Sequence, residues 1–586
     1  MARDHDDRTC ESAARGDGPI HGTGGPDGCC EGTRRPSAPC EGAGAPYGPR
    51  QGASEPDEPI HGTGGPDGPR EGAGAPGGPN GCCEGASAPD GPRQGAREPG
   101  GPPMRLERDA LGDLPLPGAA LYGIHSARAR DNFDLGYKKT SMRLIRAIVK
   151  VKKAAAITYE KLGAGRAGVY RAVIAACDRA LAGEADGMFV VDALQGGAGT
   201  STHMNVNEVL ANLALAELGE PFGSYGAVHP IDDVNRGQST NDVYPTALRI
   251  AAIELLRELS GACAELQQSL QEKEREWDGI KKLGRTELMD AVPITLGAEF
   301  GAYAQAIARD RWRLYKVEER LRQVNIGGAA VGLPGSAGRK YRFMVIEELR
   351  ALTGIGLAAA EYPMDITQNN DVFVEASGLM KALAVNLMKL SGDLRLMNSG
   401  PHGGLGEIRL APMQAGSSIM PGKVNPVIPE MAAQAAMRVI ANDQAVTMAA
   451  AHGEFELNAF LPLIADALLE SLSLLSRTVA IFRERCVEPL APDRERCAAL
   501  LGASYAFATA YAGELGYDAV SRIIAENGGD SRKIREALAA AAGARKLEFA
   551  AGCPPAGAGR QAAGAGRHAA GAGRQIPAIS ETQAKG

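Results

Sequence analysis

The sequence predicts an all-α protein, built on a central bundle of long helices and flanked by disordered, low-complexity ends. Three observations carry this expectation. Apolar residues between about 241 and 490 recur at helical spacing over long stretches. One of these stretches is alanine-rich on more than one side. Both termini, by contrast, consist mostly of Gly, Pro, Ala and charged residues.

Taken in order, residues 1–103 form a Gly/Pro-rich leader. PIHGTGGPDG occurs from Pro19 and again from Pro59, and GCCEG from Gly28 and from Gly81. With almost no branched or aromatic apolar side chains to bury, the leader cannot offset the entropy of ordering, so disorder is expected. A solenoid needs apolar faces that stack between repeats, and collagen needs glycine at every third position. The leader has neither. Residues 551–586 repeat AGAGRQA, AGAGRHA and AGAGRQ from Ala556 and read as a flexible, mildly basic tail.

The helical part is more specific. Leu248, Ala252, Leu255, Leu259, Ala262, Leu266 and Leu270 draw one apolar stripe, and Val372, Ala376, Leu379, Leu383, Leu387, Leu390 and Leu394 draw a second. Further helices are expected at about 295–324, 430–451 and 457–484, making five. Helices this long usually sit in a bundle. The small residues of Glu430–Ala451 let neighbouring helices approach closely, which favours a bundle inside an oligomer.

Composition excludes several classes. A net charge of −7 and an isoelectric point near 5.9, with no basic stripe, argue against a nucleic-acid partner. No run of 18 or more apolar residues and no signal-peptide pattern is present, so a soluble, cytoplasmic protein without a membrane partner is expected. Of eleven cysteines, only Cys177, Cys263, Cys486 and Cys497 lie in the core, and none has zinc-site spacing. No metal and no cofactor is expected.

The most informative segment is GSSIMPGKVNP, Gly416 to Pro426. It places the hydroxyls of Ser417 and Ser418, the cation of Lys423 and the amide of Asn425 on one loop punctuated by Gly416, Pro421, Gly422 and Pro426. Such a loop can close over a small anion. Two other segments supply donors. Thr200, Ser201 and Thr202 follow a Gly-Gly-Ala-Gly stretch whose amides can point at an anion, and the Lys-Ser/Thr of a Walker loop is missing. Ser239, Thr240 and Asn241 precede a helix starting near Asp242, where the dipole adds to their side chains and where capping is an equally good role. Thr286, in GRTE from Gly284, is weak evidence alone.

Taken together, GSSIMPGKVNP, GGAGTSTHMNVNEVLAN from Gly196, GQSTNDVYPTALRI from Gly237, GRTELMDAVPITLG from Gly284 and the entry segment YGIHSARARDNF resemble the fumarase/aspartase superfamily from about 104 to 550. The flanks MQAGSS and NPVIPE, with DITQNNDVFVE from Asp365, resemble the aspartase branch more than the fumarases, whereas Gly422 is fumarase-like. The resemblance implies three domains: an amino-terminal domain at 104–240, a five-helix bundle at 241–490 carrying loop 416–426, and a small helical domain at 491–550. It implies a homotetramer with a twenty-helix core, each site collecting segments from three subunits. It also implies reversible elimination of ammonia from a dicarboxylate, L-aspartate, through an aci-carboxylate intermediate.

By the same resemblance, Thr200, Ser239, Thr240, Asn241 and Thr286 match substrate-binding positions, Lys423 and Asn425 hold the α-carboxylate, and Ser417 is the general base. Glu287 stands where many relatives carry histidine, and that histidine pairs in fumarases with a glutamate matching Glu430. Two carboxylates would meet here, or Glu287 would face the substrate ammonium. His203, where relatives usually have asparagine, reads as packed. The alternatives are a fumarase acting on malate, a more distant argininosuccinate or adenylosuccinate lyase, and a catalytically silent structural homologue.

Overall fold

Burial of the apolar stripes organises the molecule. The computed structural model describes residues 103–543 apart from 334 and 336. The repeats of the leader, its six cysteines and the tail from residue 544 lie outside the described residues.

The chain opens with an antiparallel hairpin, β1 (Met104–Asp109) and β2 (Gly112–Pro117). Four helices follow: α1 (Ile124–Asn132), α2 (Met142–Lys161), α3 (Val169–Leu181) and α4 (Thr200–Glu217). The start of α1 is held by the buried carboxylate of Glu208 on α4, which accepts the amides of Gly123 (2.9 Å), His125 (2.9 Å) and Ser126 (3.1 Å). Those are amides that no helical carbonyl can reach, so one buried acid ties two distant segments together.

The first apolar stripe becomes α5 (Thr240–Glu276), with Leu248, Leu255, Leu259, Leu266 and Leu270 all buried. A second hairpin, β3 (Lys281–Thr286) and β4 (Met289–Thr295), leads into α6 (Leu296–Leu321). Next come α7 (Gly338–Thr353), α8 (Pro363–Gln368) and α9 (Asp371–Met397), the last carrying the second stripe. The bundle closes with α10 (Val427–Ala451) and α11 (Leu461–Phe482). Helices α5, α6, α9, α10 and α11 pack against one another as the five-helix bundle that the spacing predicts. All five expected helices form, within a few residues of the expected ends.

After α11 come α12 (Arg494–Ala503), α13 (Ala512–Leu515), α14 (Tyr517–Glu526) and α15 (Ser531–Ala541). Helix α12 packs against β3 and buries Cys497 in the main core, whereas α13, α14 and α15 gather around a small core of their own, made of Phe507, Tyr511, Val520, Ile534 and Leu538. The four core cysteines are buried free thiols. No helix of the described residues is long and apolar enough to cross a membrane.

Candidate active site

The donor segments gather at the amino-terminal ends of α4 and α5. Thr200 is the first residue of α4 and is exposed. It enters the helix through Gly197, Ala198 and Gly199, all with positive φ. At Gly199 (φ +93°) a Cβ would lie 2.3 Å from the Tyr244 ring, so the approach of α4 to α5 requires glycine there.

Ser239 caps α5: its Oγ accepts the Asn241 amide (3.2 Å), and its own amide donates to Asp242 Oδ1 (2.9 Å). The expected capping is therefore real. Asp242 is fully buried, and its other oxygen accepts the amides of Gly327 (3.0 Å) and Ala329 (3.1 Å). Burial pushes its carboxyl up to about 7, against these amides, which favour the ionised form. The turn thus held also receives Asn241, whose Nδ2 donates to Ala330 O (2.8 Å). Pro245 inside α5 has no amide to offer the Asn241 carbonyl, which instead accepts from Asn325 Nδ2 (3.0 Å). Asn241 is fixed at both ends by these contacts.

Behind Thr240 lies a buried layer that the motifs did not announce. Thr240 Oγ1 is 2.8 Å from His203 Nδ1, and Lys152 Nζ donates to Asn235 Oδ1 (2.7 Å). Burial, reinforced by the nearby Lys152 charge, drives the His203 imidazole well below its ordinary value. Burial likewise lowers Lys152, with Asp242 opposing. His203 is packed and neutral, backing Thr240.

The loop lies elsewhere. Gly416 closes its neck, since a Cβ there would stand 2.1 Å from the Lys423 carbonyl oxygen. Asn425 Nδ2 donates across the same neck to Gly416 O (2.7 Å). Gly422 has φ +80°, so the two glycines serve different needs, close approach and a left-handed turn. Inside the loop the amides of Ile419 (3.1 Å) and Met420 (2.9 Å) donate to Ser417 Oγ. Two dipoles aimed at one hydroxyl oxygen favour its ionised form. Ser418 and Lys423 are exposed.

Lys423, Asn425 and Glu430 line a cleft of about 1380 Å³ together with Arg395, His402 and Arg409. Glu430, in the first turn of α10, lies 3.6 Å from Arg395. Thr286 and Glu287 sit at the exposed tip of the β3–β4 hairpin. Glu287 (φ 54°) and Leu288 (φ 65°) form a two-residue turn of left-handed residues without the usual glycine or asparagine. The root of this hairpin is anchored by a buried ion network. Lys282 Nζ meets Glu299 (2.7 Å) and Glu407 (2.9 Å), and Arg285 meets Glu407 (2.9 Å). Burial acts to lower Lys282, but the two carboxylates outweigh it and hold the ammonium above its ordinary value.

The expected residues therefore form two groups. Thr200, Ser239, Thr240 and Asn241 stand at the start of α5. The hairpin tip and the loop stand toward its far end, because β3 follows α5 directly, Arg285 reaches Glu407 beside the cleft, and Lys273 of α5 donates to Leu490 O (3.3 Å). With 37 residues, α5 is about 55 Å long, so one protomer cannot bring the two groups onto one small molecule. No hydrogen bond or ion pair among the described residues joins Glu287 to Glu430 in the protomer.

A lyase family model matches residues 113–441. Aspartate ammonia-lyase of Pseudomonas aeruginosa is 44% identical over 422 residues, 72% of this chain and 89% of that protein. The Corynebacterium glutamicum aspartate ammonia-lyase is 42% identical over 439 residues, 74% of this chain and 83% of that one. Among solved structures, the fumarate lyase:delta crystallin of Brucella melitensis bound to cobalt is similar at 43% identity and a TM-score of 0.72, covering 75% of this chain and 98% of that one. The class II fumarase of Schistosoma mansoni is similar at 30% identity and a TM-score of 0.71, covering 74% and 95%.

Proposed function

This chain belongs to the lyase family, in the fumarase/aspartase superfamily, and from that premise we propose that it catalyses the reversible elimination of ammonia from L-aspartate to give fumarate. The observation that carries the mechanism is the pair of amides on Ser417 Oγ. A free serine hydroxyl is a poor base. Two donated hydrogen bonds and the Lys423 charge on the same loop lower its affinity for a proton, and exclusion of water on closure strengthens both interactions.

Ser417 takes the proton from the carbon next to the β-carboxylate. The electron pair spreads into that carboxylate as the aci form, which Thr200, Ser239, Thr240, Asn241 and Thr286 stabilise as neutral donors. Lys423 and Asn425 hold the α-carboxylate. The pair then returns to form the double bond as the carbon–nitrogen bond breaks, releasing ammonia and fumarate.

In this reading the enzyme is a cytoplasmic homotetramer with shared sites, because antiparallel association of copies sets the start of one α5 beside the loop and hairpin of another. The bundle surface supports association: Met437 and Met448 on α10 and Trp312 and Tyr315 on α6 are all more than half exposed. Glu287 faces the substrate ammonium. Glu287→Gln is expected to raise the KM for aspartate about tenfold with kcat changed less, and unchanged steady-state kinetics would dismiss that role.

The test of the reaction itself is ultraviolet absorbance of fumarate during separate incubations with aspartate and malate. Fumarate formed from aspartate and not from malate supports the proposal. Turnover of malate alone makes the protein a fumarase, and turnover of neither makes it a silent homologue.

A further inference from the structure

We propose that His203 is a positioning residue for the elimination: its Nδ1–H donates to Thr240 Oγ1, which leaves the hydroxyl proton of Thr240 free for the substrate carboxylate. The inference deepens the proposed function and rests on its reading of Thr240 as a donor to the aci form.

Thr240 stands at the first position of α5. A helical threonine can give its hydroxyl proton to the carbonyl four residues back, as Thr158 (2.8 Å), Thr353 (2.7 Å) and Thr367 (2.8 Å) do here. Thr240 has no helical turn behind it, and Arg236 O accepts Tyr159 Oη (2.9 Å) instead. Its Oγ1 lies 2.8 Å from His203 Nδ1, and no other hydrogen bond reaches that oxygen among the described residues. The Thr240 proton therefore goes either to the imidazole or to a ligand.

The ring decides between the two. His203 is buried, and burial together with the Lys152 charge keeps the imidazole neutral, with Asn235 opposing, so it carries one proton. His203 Nε2 is buried without a hydrogen-bond partner, and Asn235 Oδ1 is already engaged by Lys152 Nζ (2.7 Å). A proton on Nε2 would be a buried N–H left unpaired, whereas on Nδ1 it is donated to Thr240 Oγ1. Nδ1 then has no lone pair to offer, and the Thr240 proton is left for the ligand. A carboxylate only accepts, and its demand for donors grows as charge develops in the aci form.

Steady-state turnover of His203→Asn and His203→Leu tests this, read beside their thermal unfolding midpoints. Asparagine offers an amide donor but leaves space, and leucine fills the space but donates nothing. His203→Leu should lower kcat on the order of tenfold or more, with KM changed less. His203→Asn should keep kcat within about threefold of wild type, although its unfolding midpoint lies at or below that of His203→Leu. In a Thr240→Ala background, His203→Leu should lower the residual kcat no further. Rates that follow the midpoints, with the leucine variant the faster, would make His203 a packing residue and overturn the inference, and so would losses that multiply in the double variant. Wild-type turnover of malate in place of aspartate corrects the reaction alone, because both substrates carry the carboxylate that Thr240 meets, and the same comparison is then decided on malate. Turnover of neither substrate overturns the reading and the inference together.

Discussion

Ser417→Ala is expected to lower kcat about a thousandfold or more, with the oligomeric state unchanged by sedimentation and KM little changed. The side chain is small, half-buried and, among the described residues, bonded only to two amides of its own loop, so its removal takes away little packing. The Ile419 and Met420 amides would bind water in its place. On the proposed mechanism, what is lost is the oxygen that receives the substrate proton. A serine that merely shaped the turn would give a variant with altered KM and near-normal kcat. That result would remove Ser417 from the proton transfer.

Gly416→Ala is the second large effect. The added methyl would meet the Lys423 carbonyl oxygen at 2.1 Å and Val424 Cα at 2.8 Å, and both are backbone atoms that cannot rotate away. The neck must open, which breaks the Asn425 bond to Gly416 O and moves Lys423 relative to Ser417. Misplacement of reacting groups by about 1 Å can reduce turnover about a hundredfold. The loop packs no bundle core, so the thermal unfolding midpoint should change little while kcat/KM for aspartate falls. Gly422→Ala tests a different property, a left-handed turn with nothing within 4 Å, and its smaller strain should give a milder loss.

The bundle was legible because its stripes are long and regular. Leu248, Leu255, Leu259, Leu266 and Leu270, with Leu383, Leu387, Leu390 and Leu394, are buried at positions that helical spacing marks. The candidate residues stand out as motifs, but their grouping was not legible, since spacing cannot show that α5 carries Thr240 at one end and leads into Thr286 at the other. The hairpin turn at Glu287–Leu288 gave no signal because both left-handed residues carry side chains. The anchors behind the site were equally hidden. Arg285 and Glu407 are 122 residues apart, and the capping role of Asp242 gave no hint that it also holds residues 327–329. His203 was read as packed and is found so, but its bond to Thr240 depends on the crossing of α4 and α5.

The central claim is that a working site joins the start of α5 from one protomer to the loop of another. Mixing subunits of Ser417→Ala with those of Thr240→Ala, each nearly inactive alone, tests it directly. Random reassembly places an intact loop against an intact donor segment in about a quarter of the sites, so fumarate production from aspartate should recover to roughly that fraction of wild type. Mixed tetramers verified by native mass spectrometry that are no more active than the two parents would contradict the account.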